Sequence, residues 1–224
     1  MIRREKFVKI LQEKTSGLEV KFKNKSNLMK LLGFILFFNS KFMTDYVTTI
    51  GKTIYFPTET DFLAETETSS IMTLAHEYQH VKDYEKTPIW FIWSYLFPLS
   101  ALPLLLLSFV FLPWYIAIFS LLSLAPLPAY WRMRWELRGY TMSLFMFHAI
   151  AKERDMESQR LRETLQSLVE HYNKQFTGWA YYVMWPFGVK KKLLLAVEKI
   201  ISGTLAKEDV IFRDVINALE KSRV

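Results

Sequence analysis

From Ile89 to Tyr130 no residue carries a charge. That run of about 42 residues is roughly twice the 20 that a helix needs to cross a bilayer. Prolines at 98, 103, 113, 126 and 128 interrupt it, and proline breaks a helix interior because it lacks the amide hydrogen and its ring clashes with the preceding turn. Two apolar helices meeting near Ser108 to Trp114 fit this pattern, and the sequence predicts that the hairpin enters a lipid bilayer. Lys82 and Lys86 precede the block, and Arg132, Arg134 and Arg138 follow it. Positive charge on both flanks places both on the cytoplasmic side. A re-entrant segment and a hairpin buried within protein are the alternatives.

With 224 residues the chain can bury one core, and a single domain over 1–224 is expected. It contains no cysteine, so disulfides, thiolate metal sites and cysteine nucleophiles are excluded. Any metal must be held by carboxylates and the four histidines, His76, His80, His148 and His171. The net charge is +7, and much of it lies in the first 30 residues, from Arg3 and Arg4 to Lys30. Such a segment attracts anionic lipid or nucleic acid. No zinc-finger or RNA-recognition signature is present, so lipid is the expected partner and nucleic acid is not.

Apolar residues at helical spacing (Phe7, Ile10 and Leu11, then Leu28, Leu31, Leu32, Ile35 and Leu36) predict helix through residues 1–40. The stretch from Tyr46 to Pro57 is rich in β-branched and aromatic residues around Gly51-Lys52, which predicts a β-hairpin. Thr66, Thr68 and Ser69 are candidate caps for a helix running to about Tyr84, with Ile71, Leu74, Ala75, Tyr78 and Val81 as its buried stripe. Further helices are expected over 129–150, then on Leu161, Leu165, Leu168, Tyr172 and Phe176 to near Gly178. Two C-terminal helices are expected to meet at Ser202-Gly203. The aromatic segment from Trp179 to Phe187, next to Lys190–Lys192, suits either an interface or a core contact.

The helix expected from about residue 66 carries His76-Glu-Tyr-Gln-His80, an H-E-x-x-H motif. Residues four apart share a helix face, so both imidazoles can reach one ion, while Glu77 lies beside them to accept a proton from water. These are the residue types and the spacing that zinc-dependent hydrolysis requires. The bland alternative is a chance histidine pair on a helix surface. Against it, half of the chain's histidines fall within five residues on a helix with a credible cap and core stripe.

Catalytic zinc takes three protein ligands and keeps one open position. A third histidine is not available nearby, because Lys86 stands where a metzincin would place it. Glu136, His148 and His171 remain. An apolar hairpin that leaves and returns on one face would bring Glu136 back beside the histidine pair. His148 lies 12 residues further along the same helix, about 18 Å away, and His171 qualifies if its helix packs back. Asp83 or Tyr140 can orient a ligand from behind. Tyr140, His171, Tyr172, Tyr181 and Tyr182 are candidates to stabilise a developing oxyanion.

On these residues the sequence resembles the gluzincins, zinc peptidases with H-E-x-x-H and a downstream glutamate ligand. Its architecture is most similar to the membrane-embedded members, such as the CaaX-prenyl proteases, in which apolar spans separate the two metal-binding helices. Thr48–Tyr55 and Leu127–Arg132 also look like uncharacterised H-E-x-x-H proteins of bacteria and phages. The resemblance covers about residues 45–145, and only the five-residue motif is sharp. It implies His76, His80 and Glu136 as zinc ligands and Glu77 as general base. It departs at Tyr140, where those families often have aspartate, and a tyrosine there supplies a hydroxyl but no charge.

The fold expected is therefore mainly α with a small β-hairpin, a zincin-like helical core with an apolar helical hairpin at 89–130 between the two metal-binding helices. The function expected is a membrane-associated zinc metallopeptidase acting on a peptide or protein substrate, with Glu77 and Tyr140 as its catalytic side chains. The alternative is a non-catalytic zinc-binding or structural protein, associated with a membrane or a virion.

Overall fold

The computed structural model describes residues 3–37, 39, 41–97, 110, 111, 113, 114, 129–178, 184, 185 and 187–223. It is predominantly helical, with one three-stranded sheet. Helix α1 (Arg4–Lys14) buries Phe7 and Leu11. Strand β1 (Glu19–Phe22) follows, with Glu19 and Lys21 exposed and Val20 and Phe22 half-buried. That alternation has the period of a strand, and it corrects the expectation of helix throughout residues 1–40. A 3₁₀ turn (Lys23–Lys25) leads to helix α2 (Asn27–Ile35), which starts where the Ser26 hydroxyl accepts from the Met29 amide.

The expected hairpin is present as strands β2 (Thr48–Ile50) and β3 (Thr53–Phe56). Its tight turn puts Gly51 at φ +61°, a conformation that disfavours any residue with a Cβ. Strand β1 adds on the other side of β3 in parallel register, Glu19 opposite Thr53 and Phe22 opposite Phe56, giving the order β1-β3-β2. Helix α3 (Glu59–Ala64) then leads to helix α4 (Glu67–Lys86). Of the three candidate caps, Thr66 is the one used, accepting from the Ser69 amide at 3.2 Å. The whole expected stripe of α4 is buried, from Ile71 to Val81.

Helix α5 (Pro88–Leu96) covers the start of the charge-free block and is nine residues long. At 1.5 Å per residue it measures about 14 Å, under half of a bilayer's hydrocarbon core of about 30 Å. It stops at Phe97, which is extended (φ −63°, ψ 134°), as expected for a residue held out of helical geometry by the following Pro98. Among the described residues no helix is long and apolar enough to cross a membrane. This corrects the expected membrane insertion, the lipid partner and the membrane localisation with cytoplasmic termini. The remainder of the expected hairpin, at 98–109, 112 and 115–128, lies outside the described residues.

Helix α6 (Tyr130–Glu153) and helix α7 (Ser158–Thr177) match the expected helices, α7 burying Leu161, Leu165, Val169 and Phe176. The C-terminal part holds three helices, not two: α8 (Val189–Ile201), α9 (Thr204–Glu208) and α10 (Val210–Lys221). The second break falls at Asp209, whose carboxylate accepts from the Ile211 amide at 2.8 Å and so starts a new helix. Helices α4 and α6 form the most extensive helix pair. Between them they carry His76, His80 and Glu136.

The basic N-terminal segment is in part internal. Arg4 is buried, donates to the Phe62 carbonyl and to Ser70 Oγ, and lies 4.3 Å from the Phe62 ring centre. Lys23 is fully buried and donates to the carbonyls of Phe42 and Tyr46.

Candidate metal centre

His76 and His80 sit one turn apart on α4, and their Nε2 atoms approach to 3.2 Å. Glu136, in the second turn of α6, faces them. Its Oε2 lies 3.4 Å from His76 Nε2, and its Oε1 lies 3.8 Å from His80 Nε2. The three residues are 9%, 5% and 3% exposed, so bulk solvent has little access to them. Among the described residues this is the group of histidines and carboxylates able to hold a metal ion.

Two further observations bear on whether an ion fits. Donors bound tetrahedrally at about 2.0–2.1 Å stand roughly 3.3 Å apart; the two imidazole nitrogens at 3.2 Å and His76 Nε2 with Glu136 Oε2 at 3.4 Å match that spacing, and one donor atom from each of the three residues falls within 4.8 Å of the others. Glu136 Oε2 is buried and accepts no hydrogen bond, an arrangement that costs free energy unless something else occupies that side of the carboxylate. Two imidazoles and one carboxylate are a donor set that suits zinc among the divalent metals.

The neighbourhood holds the donors in place. Tyr95 of α5 donates its hydroxyl to Glu136 Oε1, which leaves Oε2 turned toward the histidines. Gly139 of α6 lies against the His76 ring, where an added Cβ would come within 2.6 Å of Nε2. Glycine at this position lets α6 approach the imidazole. Tyr140 packs edge-on against His76, with ring centres 4.8 Å apart, and Ser143 Oγ lies 3.5 Å from His76 Nδ1. Beyond them is Tyr172, whose phenol burial pushes up to about 12 against the opposing hydrogen bond with Ser143.

Glu77 is buried beside the cluster, and Thr49 of β2 donates to its Oε2 at 2.7 Å. The ammonium of Lys23 also acts on this carboxylate. Burial pushes Lys23 down to about 8, and attraction to Glu77 opposes that fall. On His80 burial disfavours charge, but hydrogen bonding and attraction from Glu136, with smaller contributions from Glu77 and Asp83, push it up to about 9. Burial likewise disfavours the Glu136 carboxylate, yet the two histidines hold it well below the usual range. A proton on His80 therefore competes with any ion for the same electron pairs.

The other candidates lie elsewhere. His148 is buried on α6 outside the cluster, held low by burial and by Lys152. His171 is exposed on α7 beside Tyr172. Asp83 does not orient a histidine. Arg138 spans it with bonds of 2.9 and 3.1 Å, and Gln79 donates to it at 3.1 Å. Tyr181 and Tyr182 lie outside the described residues, as does most of the aromatic segment from Trp179 to Phe187.

Sequence reasoning missed Thr49, Tyr95, Gly139, Ser143 and Lys23. Two carried a usable sign. A glycine inside a helix costs about 1 kcal/mol against alanine and so flags a close approach. Ser143 stands seven residues after Glu136, on the same helix face. Tyr95 lies within the charge-free block, where nothing sets it apart. In comparison with known proteins, no family model, no curated protein and no solved structure matches the chain.

Proposed function

We propose that the chain is a zinc-dependent peptidase of the gluzincin type, with His76, His80 and Glu136 as ligands and Glu77 as general base. The observation that carries this reading is the convergence of three buried donor groups from two helices, with a buried carboxylate oxygen that accepts no hydrogen bond facing the histidine pair. The accompanying fold assignment is a zincin-like core with the apolar segment 89–130 inserted between the two metal-binding helices.

Zinc, when bound, supplies Lewis acidity, making a water molecule acidic enough to lose a proton near neutral pH and polarising a carbonyl. The chain's own groups then do the rest. Glu77, aimed by Thr49, takes the proton from water and passes it to the leaving amine. Burial of the cluster limits competing water and strengthens each charge interaction. We assign Tyr140 to the carbonyl oxygen as it gains charge, because its ring lies against His76 one turn beyond Glu136. Such a donor contributes about 10²–10³ in rate.

A non-catalytic reading has one specific support: all three ligands are nearly inaccessible, which suits a clamp joining α4 to α6. One experiment separates the two. Zinc is counted by elemental analysis in the parent and in Glu77→Gln, and both are assayed on a mixed peptide pool with and without chelator. The peptidase reading expects one zinc in each and cleavage by the parent alone, abolished by chelator. Cleavage by Glu77→Gln at the parent rate overturns the mechanism. A zinc-loaded parent that is inert on every peptide, yet loses thermal stability with chelator, replaces the peptidase by the clamp.

A further inference from the structure

A cleft of about 310 Å³ opens beside the metal cluster, between the end of α4, the start of α5 and the outer face of α6. Trp90, Trp131 and Trp135 supply its aromatic walls, with Trp90 and Trp131 meeting edge to face at 5.1 Å. Trp135 is fixed by donating its indole hydrogen to Ser94 Oγ at 3.0 Å. The cleft also presents three cations, Lys86, Arg134 and Arg138, against the single carboxylate of Asp83. Asp83 is already spanned by Arg138. Lys86 and Arg134 are exposed, and among the described residues neither has a carboxylate partner. Arg134 instead lies 5.7 Å from the Trp131 ring centre.

Two uncompensated cations between tryptophan faces ask for a ligand with both negative charge and apolar surface. A carboxylate pairs with the cations, while a neighbouring aromatic or aliphatic side chain replaces water on the indoles. The cleft is one layer of side chains from the metal cluster, since Trp135 packs on Phe91 and Phe91 packs on His80. Its volume accommodates one or two side chains, which favours a short peptide segment over a nucleic-acid strand tracked along several phosphates.

We propose that this cleft binds an acidic peptide segment in which glutamate or aspartate stands next to an aromatic residue, and so selects acidic polypeptides for the neighbouring centre. The selection step rests on the peptidase reading; the binding does not.

The test uses calorimetric titration of the full-length Glu77→Gln chain with a blocked tetrapeptide, Phe-Glu-Glu-Phe, and with its Phe-Gln-Gln-Phe counterpart. The acidic peptide is expected to bind at least tenfold more tightly near 0.05 M salt, with the preference shrinking toward 0.5 M. Combining Lys86→Ala with Arg134→Ala, both on the surface, is expected to reduce its affinity to that of the glutamine peptide. Equal affinities, no binding of either peptide, full affinity in the double variant, or displacement of the peptide by an equally charged oligothymidylate each overturn the proposal. Acid-selective binding without cleavage by the parent leaves the cleft standing and removes the peptidase. Cleavage with no preference for acidic substrates overturns the selection step and leaves the peptidase standing.

Discussion

Thr49 Oγ1 donates to Glu77 Oε2 at 2.7 Å, so a strand of the small sheet, and not the helix that carries Glu77, fixes where this carboxylate points. The sheet is thereby tied to the proposed general base even though it supplies none of the three candidate metal ligands. Thr49→Val keeps the shape and removes the donor. A drop in kcat of roughly tenfold is expected, a fraction of the 10²–10⁴ that a positioned base contributes. Zinc content and KM should stay as in the parent. An unchanged kcat in steady-state assays would show that the contact has no part in positioning the base.

Tyr95 plays the matching role for the proposed ligand Glu136, donating to its Oε1 from α5. Partners behind a metal ligand typically account for 10–100-fold in metal affinity. Tyr95→Phe is therefore expected to weaken zinc binding at least tenfold in competition titrations with a fluorescent chelator, with little change in the melting temperature of the stripped chain. Equal zinc affinity in the two proteins refutes the assignment.

Gly139 is where α6 touches the His76 ring, and a methyl group there would lie 2.6 Å from Nε2 and 2.7 Å from Cε1. Tyr140 and Ser143 stand on neighbouring sides of that ring, which limits its room to move. Gly139→Ala raises helix propensity, yet it is expected to destabilise the protein by about 1–3 kcal/mol through overpacking and to lower zinc affinity with it. Denaturant unfolding with and without zinc reads both effects. A variant more stable than the parent, with zinc affinity intact, would mean that the approach of the two helices has been misplaced.

The chain stripped of metal should respond to pH in a defined direction. His80 is raised from 6.5 to about 9, so its protonated form contributes stability in full below pH 6.5, and that contribution is lost as the pH climbs toward 9. Glu136 is held well below 4.5, so its contribution is present above pH 4.5 and is lost only in stronger acid. These two groups therefore favour the stripped fold most between pH 4.5 and 6.5. The expected result is a melting temperature that falls from pH 6.5 to 9 in chelator, while zinc affinity rises over the same interval because the ion displaces a proton. A flat melting profile together with pH-independent zinc binding contradicts the pairing of His80 with Glu136.

Much of this arrangement was legible in local pattern. The hairpin around Gly51, the buried stripe of α4 and the H-E-x-x-H face follow from spacing and turn chemistry, which act over a few residues. Glu136 was legible as one of three candidates, because few other groups could complete the donor set. Strand β1 was hidden, since four residues between two apolar helical patterns give a weak alternation, and their pairing with β3 is a contact across more than 30 positions. The membrane expectation failed for a related reason: a charge-free run records apolar length, whereas helix length depends on where backbone geometry stops it, here at Phe97 ahead of Pro98.

His80 and Glu136 are separated by 56 positions in the chain, yet their donor atoms and that of His76 lie within 4.8 Å of one another. A peptide containing only the histidine pair would offer two donors and hold an ion weakly. The third arrives only once the chain has closed a long loop and paid its entropy. If the site takes an ion, its capture is coupled to completion of the tertiary structure, and free ion would shift the folding equilibrium by mass action. On the proposed metal reading, scarcity of the ion would then raise the unfolded share of this chain.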